Sequence, residues 1–185
     1  MKKVNILASL FAGLLMFSAC EADRDSNPVY QEPTKFVLNT PAYVNTVYDL
    51  EYSTSLELTC SQPDYGFTAA TYYAVQVSLT EDFSSFEELS TQYTTAKMNV
   101  DASELAVAAT NMKVAEGALE EDFPMIAPLY IRLRAYINES MGEIISNTIS
   151  LTNVKLYFAL PPIELPTKLY LIGDFCNWNW DNAPE

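Results

Sequence analysis

The sequence predicts an all-β protein, an immunoglobulin- or fibronectin-III-like sandwich with one short crossover helix, followed by the start of a second β domain. Three observations predict it. Short apolar–polar alternations recur between residues 34 and 160, each bounded by Pro, Asn, Asp or Ser, which is how half-buried antiparallel strands read in a sequence. One stretch only, Asp101 to Met112, changes to a helical period. Pro161-Pro162-Ile163-Glu164-Leu165-Pro166 then stops the pattern, because three prolines in six residues lack amide donors for a ladder and favour a stiff extended linker.

In chain order, the first element is an export signal. Lys2 and Lys3 precede an apolar run from Val4 to Phe17, too short at about 14 residues to span roughly 30 Å of hydrocarbon. The run closes on Phe17-Ser18-Ala19-Cys20. Small residues before a cysteine suit cleavage on its N-terminal side and lipid attachment to Cys20, whereas the bulky Phe17 argues against an ordinary A-x-A site. Residues 1–19 are therefore read as a signal peptide and 20–33 as a lipidated tether. Glu21 to Pro28 is acidic and poor in apolar residues, so it cannot bury enough surface to offset the entropy of ordering.

The strands follow. Phe36 and Leu38 alternate, then Leu56, Leu58 and Cys60, then Tyr73, Val75, Val77 and Leu79. Between the second and third runs, Pro63-Asp64-Tyr65-Gly66 offers a fixed φ and then a residue tolerant of positive φ, so the chain reverses there. In the helix, Leu105, Ala108, Ala109 and Met112 share a face, Asp101 or Ser103 can cap its start, and Glu104 stands three after Asp101 as in a capping box. Leu129, Ile131, Leu133, Ala135 and Ile137 alternate with Tyr130, Arg132, Arg134 and Tyr136, and a β-rich run from Ile145 to Leu160 returns after a turn at 138–142. Residues 34–160 thus make one domain, 161–166 a linker, and 167–185 the opening of a second domain, with a strand at its start and an aromatic loop after it.

Composition excludes several functions. With 24 Asp and Glu against ten Lys and Arg, the net charge of −14 leaves no basic patch to displace counterions from nucleic acid. The absence of histidine removes Ser-His-Asp and Cys-His catalysis and His-containing zinc sites. Five isolated glycines build neither a P-loop nor a dinucleotide fingerprint. Adjacent acids at Glu87-Glu88 and from Glu116 to Asp122 form no shaped pair for glycoside hydrolysis, and no EF-hand spacing surrounds Asp122. The expectation is a protein that is not an enzyme and holds no metal or cofactor. Cys60 faces inward on its strand and reads as a small buried hydrophobe rather than a disulfide partner of Cys176.

Both tryptophans, Trp178 and Trp180, lie in the last eight residues, beside Asn177 and Asn179. Sugar rings present apolar C–H faces that stack on indoles, and asparagine can meet their hydroxyls. Packing in the core of the second domain is the alternative, and a spacing of two would put both indoles on one strand face. Tyr72, Tyr73, Tyr130 and Tyr136 read as core or rim residues of the sandwich.

Taken in order, the signal segment to Cys20, the acidic tether, Phe36-Val37-Leu38-Asn39-Thr40-Pro41, Ser61-Gln62-Pro63-Asp64-Tyr65-Gly66 and Tyr73-Ala74-Val75-Gln76-Val77-Ser78 resemble the N-terminal part of SusE/SusF-type outer-membrane starch-binding lipoproteins of Bacteroidetes. Leu169 to Phe175 resembles the opening of the first starch-binding module of that family. The resemblance implies a non-enzymatic lipoprotein of the outer membrane, facing the cell exterior and anchored in the membrane by lipid. It further implies an Ig-like spacer followed by carbohydrate-binding modules. Its partners would be starch, a malto-oligosaccharide or another glycan, together with a TonB-dependent transporter and that transporter's glycan-binding lipoprotein. The alternative is a structural or docking module that contacts the transporter complex and binds no glycan itself.

Overall fold

The computed structural model describes residues 28–42, 44–163, 168, 170–179 and 181. The signal segment, Cys20, most of the tether, linker residues 164–166, Thr167, Leu169 and Trp180 lie outside the described residues. The strands are β1 (Tyr48–Asp49), β2 (Ser55–Thr59), β3 (Tyr72–Ser78), β4 (Glu87–Tyr93), β5 (Lys97–Asp101), β6 (Met125–Tyr136), β7 (Ile144–Ile145) and β8 (Ile149–Leu156), with helix α1 (Ala102–Ala115) between β5 and β6. The larger sheet runs β1-β8-β6-β3-β4, with β7 also on β6, and the smaller pairs β2 with β5. A bridge from Leu38 to Cys60 lays the Phe36–Leu38 segment beside the smaller sheet. Separating β2 and β5 from β8, β6, β3 and β4 in this way is the immunoglobulin or fibronectin type III sandwich.

The apolar alternation builds the core. Leu129, Ile131 and Leu133 of β6 and Val75 and Val77 of β3 face Leu56 and Leu58 of β2 and Met98 and Val100 of β5, and all are buried. Each aliphatic side chain so placed contributes roughly 1.5–3 kcal/mol. β3 pairs with β6 in unbroken register from Tyr72↔Tyr136 to Ser78↔Tyr130.

Two loops meet on one tyrosine. The expected reversal at Pro63–Gly66 forms with Gly66 at φ +79, its amide donating to Asp64 Oδ1 at 2.9 Å. Tyr65 is thereby turned inward, 1% exposed, and its hydroxyl donates to the Gly142 carbonyl at 2.9 Å. Gly142, at φ +79, sits so close that a Cβ there would lie 2.8 Å from the Tyr65 ring. Ahead of the sandwich, Tyr30 stacks on Tyr65 with ring centroids 6.5 Å apart, and the Gln31 amide donates to the Tyr65 carbonyl.

Three local expectations differ from the structure. Residues 87–101 hold β4, paired with β3 in the larger sheet, and β5, paired with β2 in the smaller, a region with no strand assigned from the sequence. Its strands are exposed on one face and bury only Leu89, Met98 and Val100, so the apolar alternation is sparse. Asp101 does cap α1, its Oδ1 accepting from Ser103 N at 2.7 Å and Ser103 Oγ at 2.6 Å, but Glu104 does not close a capping box. Its Oε1 instead accepts from Ser90 Oγ at 2.7 Å and Thr91 N at 2.9 Å on β4. The β3–β4 register shifts between Ala74 and Gln76; a bulge of this kind leaves an edge-strand amide outside the ladder, and a helix carboxylate can take it up. Finally, the described residues after the linker include the 3-10 turn Asp174–Cys176 but no strand.

Candidate functional site

Of the residues singled out for carbohydrate or lipid, Cys20 and Trp180 lie outside the described residues, and Trp178 is described. Trp178 occupies a turn rather than a strand. Asn177 and Trp178 both have left-handed φ, 54 and 56, so the chain curls and the Trp178 amide returns to the Gly173 carbonyl at 3.1 Å. The Trp178 Nε1–H donates to Asp174 Oδ1 at 2.8 Å, which fixes the indole by its polar edge. The side chain is 66% exposed, leaving apolar ring surface open to a sugar face. Cys176 is buried, and its Sγ donates to the Gly173 carbonyl. Cys60 and Cys176 are both free, and burial pushes the Cys60 thiol up to about 11. Cys60 is thus the small buried hydrophobe expected of it.

The tyrosines divide. Tyr73 is core, tilted against Phe36 at 5.9 Å, and burial pushes its hydroxyl up to about 12. Tyr136, 3% exposed, stacks on Tyr72 at 5.7 Å and belongs to a second assembly that sequence reasoning missed.

That assembly covers the outer face of the larger sheet. Gln76, only 4% exposed, donates from Nε2 to Glu88 Oε2 at 2.8 Å and accepts on Oε1 from Arg132 Nε at 2.7 Å. Arg134 grips both oxygens of Glu88, Nη2 to Oε1 at 2.7 Å and Nε to Oε2 at 3.0 Å, and approaches Glu143 at 3.5 Å. The bidentate Arg134 contact holds the Glu88 carboxyl below its ordinary range; burial pushes the other way, and the Gln76 amide adds to the lowering. Glu88 in turn raises the already high value of Arg134. Each guanidinium also lies on rings: Arg134 on Tyr136 at 4.4 Å, Arg132 on Phe83 at 4.1 Å and Phe86 at 5.1 Å. Phe83 reaches its place with φ 53, a backbone region costing an L-residue about 1–2 kcal/mol. The signal for this ladder is present in the sequence. Gln76 interrupts an apolar strand, and two of ten basic residues stand two apart on β6. The adjacent acids at Glu87-Glu88 thus lie on a strand, not in a loop, and among the described residues no cluster of His, Cys, Asp and Glu could hold a metal.

Residues 22–134, more than half of the chain, match the family described as SusE outer membrane protein. The chain belongs to the SusE outer membrane protein family. Membership puts it at the outer membrane, in a surface system for polysaccharide use. The matched SusE region holds the whole of Gln76, Glu88, Arg132 and Arg134 and stops before Trp178. Among solved structures, the chain is similar to a human fibronectin type III domain derived from the KIAA0970 protein, at 12% identity over 82% of this chain and 93% of that one, with a TM-score of 0.42.

Proposed function

We propose that this SusE-family chain is the anchored spacer part of a non-enzymatic lipoprotein that holds starch or a related glycan at the cell surface. Cys20 carries the lipid, residues 34–160 form the spacer, 161–166 the linker, and 167–185 open a carbohydrate-binding module in which Trp178 and Trp180 stack on sugar. The transporter and its glycan-binding lipoprotein are the partners. Family membership over residues 22–134 carries this reading, and the exposed Trp178 ring, fixed by Asp174, supports it.

Three proteins test it by affinity electrophoresis in starch gels: residues 34–160, the 185-residue chain, and a version extended through a complete C-terminal module. The expected result is no retardation of the first, little of the second and clear retardation of the third. The two indoles of the 185-residue chain lack the surrounding strands that hold a stacking platform at a fixed angle, and their ordering cost offsets the stacking gain. Retardation of 34–160 alone would move glycan recognition into the sandwich and defeat the assignment.

A further inference from the structure

Basic side chains are scarce in this acidic molecule, and several are tied to carboxylates. Lys97 pairs with Glu57, Lys113 with Glu116, Arg134 with Glu88 and Lys155 with Asp49. Arg132 is different. Its Nε donates to Gln76 Oε1, and its plane rests on Phe83 and Phe86, but among the described residues no carboxylate pairs with it. Neither of its η-nitrogens has a hydrogen-bond partner there, the residue is half-buried, and neither nitrogen is among the fully buried polar atoms left unpartnered. A guanidinium carries five N–H donors in a rigid fork that matches a carboxylate bidentately. Here Gln76 takes one donor and two rings lie against the guanidinium, which leaves the η-nitrogen edge of the fork without a partner and already oriented.

We propose that Arg132 anchors a protein-docking surface on the outer face of the larger sheet, receiving a carboxylate side chain of a protein partner while an apolar neighbour of that carboxylate covers Phe86. Phe86 is 44% exposed beside the guanidinium. An arginine among aromatic rings is the composition of interface hot spots. The partner brings a single carboxylate rather than a polyanion. The next guanidinium along β6, Arg134, already has Glu88, Glu143 and Glu139 around it, and an acidic polysaccharide with a charge on every sugar would meet those acids. This inference is independent of glycan recognition at Trp178.

The test is an NMR titration of the chain, following the Arg132 Nε–H and the Phe86 ring. Three probes are used: a blocked peptide of alternating glutamate and leucine, the same peptide with glutamine for glutamate, and trigalacturonate. The expected result is saturable shifts at both positions with the glutamate peptide and none with the glutamine peptide. Arg132→Gln should weaken the affinity about tenfold and Arg132→Lys, which keeps the charge without the fork, about threefold. Phe86→Ala alters an exposed ring and tests the apolar half without depending on the fold of the arginine variants; it should weaken binding severalfold. Absence of shifts at Arg132 and Phe86, equal shifts with the glutamine peptide, or unchanged affinity in Arg132→Gln would overturn the proposal. Tighter binding of trigalacturonate than of the glutamate peptide would also overturn it, making the site a uronate site.

Discussion

The sandwich and the terminal aromatic turn are held together by opposite means. In the sandwich, side chains far apart in sequence close on one another: Leu58 and Leu133 are both fully buried, and β6 alone pairs with β3, β7 and β8. In the turn, contacts run between near neighbours, with Trp178 bonded to Gly173 and Asp174. Long-range burial gives cooperative stability, whereas short-range hydrogen bonds exposed to water contribute little net free energy. The sandwich is therefore suited to carry load and present a rigid face. The turn is suited to present one ring.

The largest expected effect breaks the sandwich side of this comparison. Leu133→Ala removes a fully buried side chain from the centre of β6, and a cavity there should destabilise the fold by about 2–5 kcal/mol. Urea unfolding followed by circular dichroism reads this as a lower midpoint at unchanged slope. A loss below about 1 kcal/mol would mean that the two sheets do not pack as described.

A smaller effect is expected on the outer face of the same sheet. Glu88→Gln leaves Arg134 without its bidentate partner and should cost about 1–2 kcal/mol at pH 7. The pH dependence has a definite sign. The folded carboxyl is held below its ordinary value by Arg134, so its contribution is complete above the unfolded value of about 4.3 and is lost as pH falls through the lowered folded value. The gap in stability between parent and variant should thus be constant from pH 7 down to about 5 and close in more acid solution. A gap that persists unchanged into strong acid would assign the effect to packing rather than charge.

The difference between the two faces of β6 also explains what could be read from sequence. The inward face is encoded by pattern: Leu129, Ile131 and Leu133 alternate, which on a strand puts all three on one face. The outward ladder depends on register. That Arg132 meets Gln76 and that Arg134 meets Glu88 follows from the pairing of β3 with both β6 and β4 across its bulge, which no single-strand pattern contains. The same holds for Glu104, whose spacing suits a capping box but whose carboxylate is drawn to the edge amide of Thr91 exposed by that bulge. Tyr65 lies between these cases. Its turn is legible in Pro-Asp-x-Gly, while the Gly142 carbonyl that receives its hydroxyl comes from a loop 77 residues away. In residues 174–179 the aromatic character was legible and the local shape was not, because Asn177 favours left-handed φ but Trp178, which shares it, does not.

The smallest expected effect on stability falls on the other side of the comparison. Trp178→Ala should change the unfolding free energy by less than about 0.5 kcal/mol, since an exposed side chain in a turn contributes little to the core. The substitution removes one hydrogen bond, to Asp174, whose carboxylate can exchange that donor for water. If the ring is a sugar platform, the same substitution placed in a version carrying a complete C-terminal module should reduce starch retardation by about tenfold, the order expected when a stacking aromatic is lost from a binding site. The two readouts separate the two roles of an indole. A ring that packs in a module core would lower stability and binding together, whereas a platform loses binding alone. A drop of more than about 2 kcal/mol in the stability of the complete module would therefore convert Trp178 from a ligand contact into a core residue. It would leave Trp180 as the remaining candidate for stacking.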